Sequence, residues 1–176
     1  WGLPGWVQLM LATPVQFELA NTVPANCGAG IATQPYFDLV VDEAHGRIFA
    51  SDQGGRKLDL FTYSSTNPPE FVGRICLDAQ PAGVDISPDG NELAVALFDG
   101  ARIVFIDSSL PHQWLHISAT VVPNVTSDPN KPYDLVYGRS GRLYSVGNPG
   151  SMGMDSVHVI DTTTHTEIGR STTTIT

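Results

Sequence analysis

The chain has 176 residues, 41% of them apolar and 15% charged, with a formal net charge of −9 and a pI near 4.7. Length and apolar content are enough for one domain with its own core, so disorder is excluded. The acidic balance excludes non-specific attraction to nucleic acid or to an anionic membrane surface, and a composition rich in Thr, Ser, Gly and Pro leans toward β-rich proteins outside the cytoplasm.

The N-terminal stretch WGLPGWVQLMLATPVQFELA is the most apolar region. Gln8, Pro14, Gln16 and Glu18 interrupt it well before the roughly 18 to 20 apolar residues that a membrane helix needs, so no stable span is expected. Val15, Phe17 and Leu19 alternate with polar residues at the period of a half-buried strand. Residues 1–35 are therefore set apart, with that strand expected to be the outer strand of a unit preceding the first. Cys27 and Cys76 are not in a C-x-x-C arrangement, which leaves a structural zinc site without support. They are expected either as a disulfide, closing a loop of about 50 residues and worth roughly 4 kcal/mol, or as two buried thiols. Both termini, Trp1 and the run STTTIT, read as cut rather than finished.

From Tyr36 onward one pattern recurs. YFDLVVDEAHGRIFASDQ from Tyr36, AGVDISPDGNELAVALFDG from Ala82 and YDLVYGRSGRLYSVGN from Tyr133 align on Gly46, Gly90 and Gly141, at spacings of 44 and 51 residues. Each is two alternating apolar runs joined by a tight turn, with glycine where a positive φ is needed. LDLFTY from Leu58, ARIVFID from Ala101 and SVHVID from Ser156 supply a third run, and FVGRICL, WLHISATVV and a truncated TEIGRS a fourth. Four short strands repeating every 40 to 50 residues are the signature of radial β-sheet blades, which bury their faces by stacking on one another. The expected fold is all-β: a partial β-propeller of about three four-stranded antiparallel blades in an open arc. Its units are expected at residues 36–80, 81–131 and 132–176, the last truncated, with apolar blade edges left exposed.

GVDISPDGNELAVAL followed by IVFID, and YDLVYGRSGRLYSVG followed by VHVIDTTT, resemble the YVTN-type, WD-repeat-like β-propeller superfamily over residues 36–172. That superfamily includes lactone-hydrolysing enzymes, surface-layer and cell-surface proteins, and propeller subunits of periplasmic redox enzymes, so the resemblance implies a fold more than an activity. Residues 1–17 resemble a membrane helix of heavy-metal-transporting P-type ATPases through LATPVQF. The ATPase's phosphorylation and metal-binding motifs are absent, so no transport activity is implied.

Along the innermost strands, Asp38, Val40 and Asp42, then Gly83, Asp85 and Ser87, then Asp134, Val136 and Gly138 share one face, opposite Leu39, Val41, Val84, Ile86, Leu135 and Tyr137. Asp38, Asp42, Asp85 and Asp134 would thus line a central channel, where converging carboxylates suit a hard cation such as calcium. The plainer reading, which we prefer, has them bonding strand ends and neighbouring backbone amides. His112 and His116 are four apart, but on an outer strand rather than a metal-binding helix, and His158 is expected as a packed neutral side chain. Gly54-Gly55-Arg56-Lys57 is expected to be a hairpin turn rather than a phosphate loop. No G-x-S-x-G elbow or nucleotide loop is present.

The leading expectation is a non-catalytic binding or scaffold module of a secreted, periplasmic or cell-surface protein. Its partners would be another protein or further blades, with contacts through the loops Ser64–Glu70 and Val122–Lys131. The alternative is part of a lactonase-like enzyme with a carboxylate or cation site in the channel.

Overall fold

The computed structural model describes residues 35–109, 115–121, 131–147 and 155–173. They form twelve strands in three antiparallel sheets, each made of four consecutive strands. The first sheet is β1 (Leu39–Asp42), β2 (Arg47–Asp52), β3 (Lys57–Thr62) and β4 (Phe71–Cys76). The second is β5 (Pro81–Ile86), β6 (Glu92–Leu97), β7 (Arg102–Asp107) and β8 (Leu115–Val121). The third is β9 (Pro132–Gly138), β10 (Arg142–Gly147), β11 (Asp155–Asp161) and β12 (Thr166–Thr173). The last strand runs eight residues, two beyond the TEIGRS run.

The first turn of each sheet is built as its sequence predicts. Gly46, Gly90 and Gly141 have φ of 64°, 74° and 68°, a region that a Cβ disfavours. Arg56 and Ala101, in the β2–β3 and β6–β7 turns, also have positive φ, at 51° and 49°. Glycine precedes each of them, yet the left-handed residue is not the glycine. At Gly55 the reason is space: a Cβ there would lie 2.5 Å from the Asp52 carboxylate, which accepts the Gly55 N–H. The repeat extends to an irregularity in pairing. Register slips between the third and fourth strands at Leu60/Phe61, Phe105/Ile106 and Val159/Ile160, the same point in each sheet.

Stacking of the sheets makes two cores. Phe49, Leu58 and Leu60 of the first sheet meet Leu93, Val95, Leu97, Val104 and Ile106 of the second. On the second sheet's other face, Ala94, Ala96, Ile103 and Phe105 meet Leu135, Leu143 and Ile160 of the third. Alternate residues of β6 and β7 thus enter different cores, and this is why ELAVAL and RIVFID are almost continuously apolar. Each fully buried Leu, Ile or Phe stabilises the fold by about 1.5–3 kcal/mol. The outer faces differ: Leu39 and Val72 in the first sheet and Val136 in the third are more than half exposed. β1, β5 and β9, the first strand of each sheet, contact one another in sequence and form the inner edge. Phe37, just before β1, reaches past the second sheet to Tyr133 of β9, ring edge to face at 5.0 Å.

Among the described residues no helix is long and apolar enough to cross a membrane. Cys76 is disulfide-bonded; Cys27, its expected partner, lies outside the described residues, as do the Val15–Leu19 strand, residues 122–130 of the second loop, and the His112 and His116 side chains.

Candidate functional site

Three of the four singled-out aspartates occupy the inner edge. Asp38 accepts the N–H of Leu39 through Oδ1 (2.8 Å) and, through Oδ2, the N–H of Val84 in the next sheet (2.8 Å). Asp85 repeats this, taking its own neighbour Ile86 N–H (2.8 Å) and Tyr137 N–H from the third sheet (2.6 Å). Asp134 takes the Leu135 N–H through Oδ1 at 2.8 Å. Each carboxylate thus bonds the amide that follows it, and two also tie their sheet to its successor.

Asp42 is not with them. It is 2% exposed and turned into the protein, where its carboxylate binds the Arg47 guanidinium, the His45 ring and the His45 N–H. The expectation of a four-aspartate channel face is corrected to three. The cause is packing: Asp42 shares the face of Asp38 and Val40, and at its end of β1 that face is covered by the first turn of the second sheet, Gly90 included. Among the described residues no group of three or more His, Cys, Asp or Glu is arranged to hold a metal ion. Asp38 and Asp85 each receive an N–H on both oxygens, and no chemistry is derived through a cation at this edge.

Burial raises the Asp85 pKa above its ordinary 3.8 and the nearby Asp38 and Asp134 charges add to the rise, outweighing the Tyr137 and Ile86 hydrogen bonds that oppose it. The folded protein therefore holds this proton more tightly than the unfolded chain. Its stability contribution is fully present below 3.8 and lost as pH rises through the folded value. The stability advantage of the parent over Asp85→Asn is expected to shrink from about pH 4 to about pH 7 in urea unfolding. An advantage that grows over that range would contradict the assignment.

Tyr137 connects this carboxylate to a cleft of about 650 Å³ between the turns of the second and third sheets, lined by Asp89, Glu92, Asp107, Tyr137 and Arg139 among others. Its N–H goes to Asp85, and its hydroxyl donates to Glu92 Oε1 at 2.7 Å. Burial, with Glu92 beside it, pushes the phenol pKa up, so the group stays protonated and donating. The other Glu92 oxygen lies 2.7 Å from His165 Nε2, whose ring stacks on Phe105 at 4.1 Å. Sequence reading placed Tyr137 on the apolar face and gave Glu92 and His165 no role. Alternation identifies the face, but it carries no information that these three meet across two sheets. His158 is buried as expected, with its Nδ1 3.1 Å from Glu167 Oε1. Gly54–Lys57 is a hairpin turn.

No family model and no curated protein matches the chain. Solved structures do. A candidate 6-phosphogluconolactonase from Bacteroides uniformis superposes with a TM-score of 0.64 and 16% identity, over 85% of this chain and 47% of that one. The periplasmic gluconolactonase PpgL of Pseudomonas aeruginosa gives 0.59 and 14%, over 77% and 40%. The Cps50 (Swd1) β-propeller domain from Myceliophteria thermophila gives 0.58 and 17%, over 77% and 41%. The chain thus spans less than half the length of these structures. At such identities the likeness carries the fold, and with three radially stacked sheets it defines the class: a partial β-propeller. Structures with lactonase names stand among these neighbours, and the expectation of a non-catalytic scaffold is withdrawn. The ATPase resemblance of residues 1–17 gains no support from any match.

Proposed function

We propose that the chain is part of a YVTN-type propeller hydrolase that opens sugar lactones at the inner edge of its sheets. The observation that carries this is Asp85, a half-buried carboxylate whose proton affinity is raised by burial and by two flanking carboxylates. A carboxylate with raised proton affinity is a better general base than an ordinary one. Each of its oxygens accepts one backbone N–H and keeps a second lone pair. In this reading Asp85 takes a proton from water as the water oxygen attacks the lactone carbonyl. The ring C–O bond then breaks and the proton passes to the departing ring oxygen, giving the hydroxy acid. Asp38 and Asp134 add to the rise that burial causes in the Asp85 pKa and do not touch the reacting atoms.

An extracytoplasmic setting belongs to the same proposal. It is supported by the Cys76 disulfide, which persists in oxidising compartments.

The test is acid release from glucono-δ-lactone, followed by pH-stat, on a ring-complete version of the protein. Asp85→Asn is expected to lower kcat/KM by about 10²- to 10⁴-fold, with Asp134→Asn shifting the pH profile and leaving more of the rate. No turnover above the solvent rate in the parent, or an unaffected Asp85→Asn variant, would remove the enzyme reading.

A further inference from the structure

The seam between the second and third sheets departs from the repeat at three residues, and the three meet. Opposite the third residue of β2, β6 and β10 stand Val40, Asp85 and Val136, so a carboxylate takes the place of a valine. Opposite the second residue stand Val41, Ile86 and Tyr137, so a phenol takes the place of an aliphatic side chain. The first residue itself is Arg47, Glu92 and Arg142, a carboxylate where the other sheets have a guanidinium. Val40 and Ile86 serve packing, lying against the first core.

Tyr137 is held by the second sheet at two points. Its N–H donates to Asp85 Oδ2 at 2.6 Å and its hydroxyl to Glu92 Oε1 at 2.7 Å. Asp85 and Glu92 are fixed relative to each other, because the Ser87 N–H bonds the Glu92 carbonyl at 2.7 Å and the Ser87 hydroxyl takes the Glu92 N–H at 2.9 Å. Glu92 is braced in turn: its Oε2 lies 2.7 Å from His165 Nε2, and the two side chains are largely buried. The Tyr137 ring is thus a strut whose far end fixes where the amide meets Asp85.

We propose that Glu92 and Tyr137 are positioning residues for Asp85: the anchored phenol holds the Tyr137 amide on the Asp85 carboxylate, and that hydrogen bond governs how readily Asp85 takes up its proton. A hydrogen bond to the ionised form favours it, and the Tyr137 amide opposes the rise that burial causes. The charged groups facing Asp85 are Asp38 from the first sheet and Asp134 from the third. Glu92 faces Tyr137 and His165, with Asp89, Asp107 and Arg139 around the cleft. The bearing on catalysis rests on the hydrolase reading; the chain of hydrogen bonds does not.

The sign of the effect separates positioning from charge. Loss of the Glu92 charge acting through space would make Asp85 a stronger acid, whereas loss of the anchor makes it a weaker one. The experiment titrates the Asp85 carboxyl by carbon-13 NMR in the chain as it is. Tyr137→Phe and Glu92→Ala are each expected to strengthen proton binding about tenfold, the size of a lost charge-assisted hydrogen bond, and together by no more than either alone. Glu92→Gln keeps an acceptor for the phenol and should leave the midpoint near the parent's. If Glu92→Ala does not fold, Tyr137→Phe decides. A midpoint unmoved or lowered in folded Tyr137→Phe, or lowered equally by Glu92→Ala and Glu92→Gln, would overturn the proposal. In a ring-complete version the acid limb of kcat/KM should rise with the NMR midpoint. A raised midpoint with no turnover in the parent removes the hydrolase reading alone; turnover that needs Asp85, with an unmoved midpoint in Tyr137→Phe, removes this inference alone.

Discussion

Gly83→Ala is expected to separate the second and third sheets at the inner edge. A Cβ at this position would stand 2.7 Å from the Asp134 Cα and 3.1 Å from the Leu135 N, both backbone atoms, and 2.8 Å from Asp134 Oδ1. Gly83 is not one of the positive-φ glycines, so space rather than backbone angle requires it. β5 and β9 must move apart for an alanine to fit, and the Asp85 to Tyr137 hydrogen bond of 2.6 Å spans that same gap. Overpacking against backbone belongs at the upper end of its usual range, about 3 kcal/mol or more, which for a chain of this size lowers Tm by roughly 6 to 12 °C. Thermal melting measured alongside Tyr137-dependent near-UV circular dichroism checks both the loss and its location. A second Asp134→Gly change removes the side-chain contact and leaves the 2.7 Å backbone one, so little recovery is expected. Full recovery would show that only the carboxylate was in the way.

The architecture could be read from sequence because its determinants are local. Pro88-Asp89-Gly90 has local bonds that shape its turn: the Gly90 N–H goes to Ser87 O, and Asp89 accepts from Ser87 and Asn91. Alternation in β6 and β7 then assigns faces without knowledge of the partner sheet. The site was less legible because its determinants are not local. Asp85 and Tyr137 are 52 residues apart and Glu92 and His165 are 73 apart, so no window of sequence contains either pair. His165 itself has a φ of 51° in a turn that carries no glycine, and nothing in THTEIG announces that its ring will stack on Phe105. Counting in twos put Asp42 on the face of Asp38 and Val40, but it could not show that this face packs on the second sheet, so that the carboxylate points inward beside Gly90.

That inward carboxylate carries the second large effect. Asp42 has a side chain 1% exposed against 12% for Arg47, so the ion pair is almost entirely withdrawn from water. Arg47 donates Nε–H to Asp42 at 2.9 Å and a second N–H to the Ser108 carbonyl of the second sheet at 2.7 Å, while Ser108 donates its hydroxyl to Gly90 O at 2.7 Å. One carboxylate therefore orients the cation that clips the first sheet to the end of β7 and to the first turn of the second sheet. Removing it by Asp42→Ala takes from a mostly buried guanidinium the carboxylate it is paired with, and from the His45 N–H its Asp42 acceptor. The expected loss is about 3–5 kcal/mol, read as a lower urea midpoint at unchanged m-value. Because the deficit is an uncompensated charge rather than a missing contact, the paired change Asp42→Leu with Arg47→Met should be far less harmful than Asp42→Ala alone. A double variant as unstable as the sum of its two single changes would mean that the groups contribute independently and that the pair does not act as one clip.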